Sequence, residues 1–182
     1  MTDRWTERRG TSVHEAGHAV VAFKRGRAFT SVSIIPDKDT LGRVHHQPPG
    51  SWFKPDIEAS GRGRVLIEAR IMILLAGFEA EDAWCRTVSG KPRDWRKRLT
   101  DGAEIDFHHA LDLADYACSS PGETEPFIER QRQRVLTLVG PEGLASPLVD
   151  RLADELERTQ RLSWPRAKTI LTAAQSEVGD DG

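Results

Sequence analysis

The feature that most constrains this chain is a pair of histidines four positions apart, His14 and His18, with Glu15 directly after the first. Positions four apart lie on one face of an α-helix, so both imidazoles can reach a single metal ion. Glu15 is offset by one residue, where its carboxylate can meet a metal-bound water instead of the metal. The rest of residues 13–23 is apolar, and ionisable groups in such a setting are costly unless they have partners. The pattern predicts a helix that carries a catalytic zinc site.

Two simpler interpretations of these residues compete with the metal site. The first is an amphipathic helix that carries two histidines for no chemical reason. In the second, Ser12 and Glu15 form the capping box S-x-x-E, and Glu15 only completes the start of a helix. Gly17 is an unfavourable interior helix residue, by about 1 kcal/mol relative to alanine. Its missing side chain would let another segment approach the metal closely.

Composition excludes several classes of protein. The 182 residues are 38% hydrophobic and 30% charged, which indicates one globular domain, residues 1–182, with a buried core. The net charge of −2 gives no general electrostatic reason to bind nucleic acid or a membrane surface. Cys85 and Cys118 form no disulfide framework, which favours reduced thiols and a cytoplasmic location. We see no signal peptide, and the longest apolar run, 71–78, is too short to cross a bilayer.

Hydrophobic periodicity predicts a mainly α-helical domain with one small β-sheet, a hairpin near the motif helix. The predicted helices are 11–28, 61–84, 104–118, 123–139, 144–161, and a last one that opens at Ser163-Trp164-Pro165 and ends near 177. The predicted strands are 31–35 and 41–46, joined by a turn at 37–40. Residues 47–55 and 85–103 are predicted loops, and 179–182 a disordered tail. The basic cluster at 91–98 is interpreted as a solvated part of its loop.

A catalytic zinc ion commonly has three protein ligands and a water. Two come from the motif helix, and the residues alone leave the third open. The candidates are Glu79, Glu81, Asp82, Glu104, Asp106, His108 and His109. On a helix, Asp106 and His109 share a face with Ala110, so either can point inward. His45 and His46 are weaker candidates because alternating strand geometry sends them to opposite faces.

Four segments, in the same order, give the chain a resemblance to a known family. Residues 11–21 resemble the zinc helix of the FtsH-type ATP-dependent zinc metalloproteases. Residues 32–36 and 41–42 are similar to that family's strand, I-x-P turn and L-G return strand. Residues 75–81 resemble its G-R-x-A-E helix, and 102–106 resemble its T-G-A-x-x-D segment, whose aspartate is the third zinc ligand. The resemblance therefore nominates Asp106, and it covers a zinc-binding core at 11–118, with a helical part at 123–178 beyond it.

The chain departs from the family pattern at three places. Phe78 stands where the family has arginine, Asp101 replaces the threonine before Gly102, and the turn after Pro36 is altered. None of these changes removes a ligand or the glutamate. The chain also has no G-x-x-x-x-G-K-[ST] loop, so we expect a peptidase domain without an attached ATPase.

The resemblance implies a zinc-dependent metalloendopeptidase. His14, His18 and Asp106 would hold one Zn²⁺ per chain, and Glu15 would act as general base in peptide hydrolysis. Expected substrates are peptides or unfolded protein segments. The sequence leaves open whether a separate ATPase delivers them and what the oligomeric state is. The oxyanion donor is also open, among His45, His46 and the histidines at 108–109. The alternatives are an inert zinc-binding interaction domain and a metal-free helical module that binds an acidic partner through residues 91–98.

Overall fold

The computed structural model describes residues 4–37, 41–46 and 61–179. These residues form six helices and three strands, which confirms the predicted mainly α-helical domain with a small sheet. The helices are α1 (Glu7–Lys24), α2 (Gly61–Thr87), α3 (Trp95–Ala117), α4 (Pro121–Val139), α5 (Ser146–Thr159) and α6 (Trp164–Gly179). The strands are β1 (Phe29–Ser33), β2 (Arg43–His46) and β3 (Arg161–Ser163).

Helix α1 begins four residues earlier than predicted, because its cap is Thr6. The Thr6 side chain accepts a hydrogen bond from the backbone N–H of Arg9 at 3.1 Å. Ser12 lies inside the helix, buried, and its hydroxyl donates to the carbonyl of Arg8 at 2.9 Å. The capping-box interpretation is therefore wrong, and Glu15 lies in the middle of the helix, where its carboxylate is available for other chemistry.

The contact between α1 and α2 is unusually close. A Cβ on Gly17 would lie 2.6 Å from the carbonyl oxygen of Ala76 and 2.8 Å from the Cβ of Ala80. The two helix backbones therefore cross with no side chain between them at this point. Gly17 was predicted to let another segment approach closely, and α2 is the segment that does so. The small residues Ala76 and Ala80 of α2 permit this contact.

The sheet has the order β2-β1-β3, and both pairings are antiparallel. Val32 of β1 lies opposite Val44 of β2, and this confirms the predicted hairpin. Most of the predicted turn and all of the predicted loop at 47–55 lie outside the described residues. Strand β3 was not predicted, because three residues between two helices carry no period of their own. Among the described strands β2 is at an edge, with β1 on one side only.

The prediction of a loop at 85–103 is wrong. Helix α2 continues to Thr87 and α3 begins at Trp95, so only residues 88–94 connect them. The polar residues of 95–103 form the exposed face of the first turns of α3. Among them, Lys97 pairs with Asp101, four positions later, at 2.6 Å. Exposed pairs at this spacing support a helix, so a polar stretch is compatible with one. Leu99 supplies the buried side of the same turns.

The C-terminal helices share one hydrophobic core with the motif helix. Helix α5 packs on α1, and the nearly buried Arg9 joins them through ion pairs with Asp154 at 2.6 Å and Glu157 at 3.2 Å. Residues 123–178 thus support the motif-bearing core directly. Among the described helices, none combines the length and the apolar character needed to cross a bilayer.

A buried ion pair between α2 and α4 generates a prediction about stability. The Glu79 side chain is 1% exposed, and Arg132 Nε lies 2.5 Å from its Oε1. Arg132→Met would leave that carboxylate buried without a countercharge, so we expect a loss of about 2–3 kcal/mol in the free energy of unfolding. The matched control is Arg134→Met on the same helix, whose pair with Glu68 is exposed and should cost under about 1 kcal/mol. Urea unfolding at fixed metal content measures both, and equal losses would contradict the account.

Candidate metal centre

Two helices bring three side chains of metal-binding type to one point. His14 and His18 come from successive turns of α1, and Asp106 comes from α3. Asp106 Oδ2 lies 3.1 Å from Nε2 of His18 and 3.6 Å from Nε2 of His14. One donor atom from each residue falls within 4.8 Å of the other two. Two imidazoles and a carboxylate at such spacing form a donor set that suits zinc.

Helix α3 turns Asp106 inward because it shares a face with small buried residues. Three alanines at helical spacing pack against the rest of the protein: Ala103, Ala110 and Ala114. Asp106 falls between the first two, and its side chain is 26% exposed. His108 and His109 are exposed, so the suggestion that His109 points inward is wrong. Residue-level reasoning had left both in competition with Asp106.

An aromatic pair fixes α3 against α2 beside the site. The rings of Phe78 and Phe107 meet edge to face, with centroids 5.2 Å apart. Phe107 is the neighbour of Asp106, and Phe78 is the neighbour of Gly77. The departure at Phe78 from the family's arginine therefore has a structural role here, because it packs the helix that presents the carboxylate.

Both imidazoles are oriented through the nitrogen that faces away from the triangle. Glu81 Oε2 lies 3.0 Å from Nδ1 of His14, and the carbonyl of Ile73 accepts from Nδ1 of His18 at 2.6 Å. These contacts leave Nε2 of each ring as the lone-pair donor that a metal requires. Glu81 was a candidate ligand on sequence grounds. The structure places it behind His14, where it orients the ring.

Helix α2 contributes an empty side-chain position under the two rings. A Cβ on Gly77 would lie 2.4 Å from Nε2 of His18 and 2.5 Å from Nε2 of His14. Any larger residue would occupy the space directly beside the donor atoms. Gly77 therefore provides a second close approach between α1 and α2, in addition to the one at Gly17.

Glu15 lies next to the triangle and is 6% exposed. Its Oε2 is buried with no hydrogen-bond partner in the described part of the chain. On its other side is Gly42, where a Cβ would lie 2.9 Å from Glu15 Oε1. Burial raises the pKa of Glu15, and the positive charges of His18 and His14 only partly offset this. The result is a carboxylate with a strengthened affinity for a proton and one oxygen ready to accept it.

The electrostatic field at the three donors favours a cation. Burial disfavours the charged form of His14, yet its hydrogen bonds with Asp106 and Glu81 raise its pKa to about 10. Burial likewise opposes ionisation of Asp106, but the charge of His18 and hydrogen bonds from both histidines hold the Asp106 pKa well below its usual range. A site that attracts positive charge this strongly, with its donors already oriented, fits a bound metal ion.

The remaining sequence candidates have other partners or lie elsewhere. Glu79 pairs with Arg132, and Asp82 pairs with Arg86 at 2.7 Å. Glu104 and His45 are exposed.

His46 is half-buried at the C-terminal end of β2. Burial, reinforced by the positive charges of Arg70 and His18, lowers its pKa to about 3, so the ring is neutral. Sequence reasoning did not identify Arg70 as a residue near the site. The one indication in the sequence was its position on α2, seven residues before Gly77, which puts both on one helix face.

Gly77 gives a direct test of the site geometry. In Gly77→Ala the new methyl group would collide with both donor nitrogens, so we expect zinc affinity to fall at least about tenfold while the helices remain folded. Chelator competition measures the affinity. The control is Gly102→Ala on α3, where a Cβ would meet nothing within 4 Å and zinc affinity should be unchanged. An unaltered affinity in Gly77→Ala would contradict the arrangement.

Comparison with known proteins finds several zinc metalloproteases that are similar to this chain. The chain is 29% identical over 174 residues to the ATP-dependent zinc metalloprotease FtsH 3 of Conexibacter woesei, covering 94% of this chain and 20% of that protein. It is 27% identical over 174 residues to ATP-dependent zinc metalloprotease FTSH 11 of Arabidopsis thaliana, covering 92% and 18%. Human ATP-dependent zinc metalloprotease YME1L1 is 25% identical over 169 residues, covering 92% and 19%.

No family model matches the chain. The chain spans about a fifth of the length of the curated relatives it matches. Those relatives are zinc metalloproteases by name, and each match extends over about nine-tenths of this chain. By sequence the chain is therefore similar to part of the FtsH-type ATP-dependent zinc metalloproteases.

Proposed function

We propose that this domain is a zinc-dependent metalloendopeptidase that binds one Zn²⁺ through His14, His18 and Asp106. The observation that carries the proposal is the position of Glu15. A buried carboxylate without a partner for one oxygen lies beside a compact donor set. A purely structural zinc site has four protein ligands and needs no such group.

The chemistry divides between the metal and the side chains. When bound, zinc supplies a Lewis acid that acidifies water and polarises the peptide carbonyl. Glu15 Oε2 accepts the proton of the attacking water and later gives it to the leaving amine. The position of Glu15 suits both transfers, because its Oε2 is buried beside the three donors and has no other partner in the described part of the chain.

His46 is the proposed donor to the oxyanion. Of the four histidines that the sequence left open, it alone lies half-buried near His18 and Asp106. Its neutral ring carries one N–H, which can donate to the carbonyl oxygen as negative charge develops there.

Strand β2 is the proposed substrate-binding edge. It passes the site from Gly42, beside Glu15, to His46, near His18, and pairs with β1 on one side only among the described strands. An extended peptide can add to this edge through backbone hydrogen bonds, which demand little of its sequence. The proposed substrates are therefore peptides and unfolded protein segments, which a separate ATPase would supply from a folded protein. The free thiols of Cys85 and Cys118 suit a cytoplasmic location.

Removal of the proposed base separates catalysis from metal binding. Glu15→Gln keeps the size of the side chain but cannot accept the proton. We expect peptide hydrolysis to fall about 10²–10⁴-fold with zinc affinity nearly unchanged. Cleavage of an unstructured protein such as casein, followed by mass spectrometry, measures activity, and Glu104→Gln on the exposed face of α3 is the control. Full activity in Glu15→Gln would overturn the assigned role, and an inactive wild type with bound zinc would favour an inert zinc-binding domain.

The third ligand is tested by Asp106→Ala. Loss of the carboxylate leaves two imidazoles, so zinc affinity should fall by more than about 100-fold in a chelator competition. Asp112→Ala, an exposed carboxylate on the same helix, should bind zinc as the wild type does. Wild-type affinity in Asp106→Ala would remove Asp106 from the ligand set.

A further inference from the structure

Arg70 lies beside the metal centre on the helix that supports it. It is three positions before Ile73, whose carbonyl orients His18, and seven before Gly77, so all three share one face of α2. The guanidinium is partly buried and within electrostatic range of both Asp106 and His46. Arg70 thus places a permanent positive charge on α2 about one helical turn from Ile73, the residue that contacts His18.

The ion pairs of the described residues do not use this charge. Four acidic groups near the site are engaged with other partners: Asp106 with the two ligand histidines, Glu81 with His14, Glu79 with Arg132, and Glu68 with Arg64 and Arg134. Arg70 forms no ion pair with any of these four carboxylates. Asp106 acts on this guanidinium without forming an ion pair with it, so the partly buried charge is suited to a direct pair with an anionic group from outside the fold.

The course of β2 connects Arg70 to the substrate. The strand passes Glu15 at Gly42 and ends at His46, which lies near both the ligands and Arg70. A peptide that adds to the edge of β2 would therefore be cleaved near Glu15 and would bring a neighbouring residue to Arg70. Since Arg70 does not contact Asp106, it stands back from the ligand triangle, and this distance suits a substrate side chain better than the reacting carbonyl oxygen.

We propose that Arg70 binds a carboxylate of the substrate, so that the domain prefers peptides with an acidic group on the His46 side of the cleaved bond. This inference rests on the proposed peptidase function. The planar guanidinium can hold a carboxylate through two parallel hydrogen bonds, a geometry that lysine cannot reproduce. The carboxylate can belong to an aspartate or glutamate side chain or to a peptide C-terminus.

Binding to zinc-loaded Glu15→Gln protein tests the inference without hydrolysis. The probes are fluorescent peptides with blocked ends that carry one glutamate at successive positions, each matched by a peptide with glutamine there. At one position we expect the glutamate peptide to bind about tenfold more tightly by anisotropy. A further pair that ends at that position, as free acid or amide, distinguishes a C-terminal carboxylate from a side chain.

Variants on α2 assign the preference to Arg70. Combined with Glu15→Gln, Arg70→Ala should abolish the difference between glutamate and glutamine peptides, and Arg70→Lys should keep only part of it. The control Arg86→Ala removes an exposed arginine of the same helix, paired with Asp82, and should keep the full preference. A preference that survives Arg70→Ala, or no preference at any position, would overturn the inference.

Hydrolysis by the wild-type Glu15 protein separates the two levels of the proposal. Cleavage of glutamine peptides with no acidic preference would remove the role of Arg70 and leave the peptidase function standing. Equal slowing of both peptide types by Arg70→Ala would also overturn the inference, because it would place the guanidinium at the reacting carbonyl. If the zinc-loaded protein neither bound nor cleaved any peptide, the proposed function would fall, and the role of Arg70 with it.

Discussion

The close crossing of α1 and α2 is the constraint on which the site depends. Gly17 lets the two backbones approach, and Gly77 lets the imidazoles of His14 and His18 lie directly against α2. From there α2 supplies the Ile73 carbonyl that orients His18 and the Glu81 carboxylate that contacts His14. A wider crossing would separate the rings from both groups. Gly17 and Gly77 each weaken the helix that contains them, and the close contact between α1 and α2 explains why glycine stands at both positions.

Charge is arranged around this crossing so that most buried groups have a partner on another element. Glu79 of α2 is neutralised by Arg132 of α4, and Arg9 of α1 by carboxylates of α5. In the described part of the chain, only Glu15 and Trp84 hold buried side-chain atoms without a hydrogen-bond partner. Of these two residues, Glu15 lies beside the candidate metal donors. An unsatisfied polar atom at such a point is a cost to folding that a reactive role explains.

Sequence reasoning found what is encoded locally and missed what tertiary contacts decide. The spacing of His14 and His18, four positions apart, sufficed to predict that both rings lie on one helix face, and alternation sufficed for the hairpin. Composition and spacing left seven candidates for the third ligand, because the inward turn of α3 depends on packing by alanines and by Phe107. The resemblance to a family singled out Asp106, and the structure places it in the donor triangle.

The errors have the same origin. The start of α1 at Thr6 and the early start of α3 lie in polar stretches, where exposed helix and loop have similar composition. Strand β3 exists through its pairing with β1 and has no pattern of its own. Glu81 could not be separated from the ligands by sequence, since an orienting carboxylate and a coordinating one are the same residue type. The sequence could not predict a role for Arg70, because that role depends on its neighbours in space, His46 and Asp106.

The most direct test of the central claim is the zinc content of the untagged, purified wild-type chain, measured by elemental mass spectrometry. The account predicts about one zinc ion per chain, because the donors are oriented and their field favours a cation. A chain that contains no zinc, and takes up none when incubated with it, would contradict the metal centre and every role assigned around it.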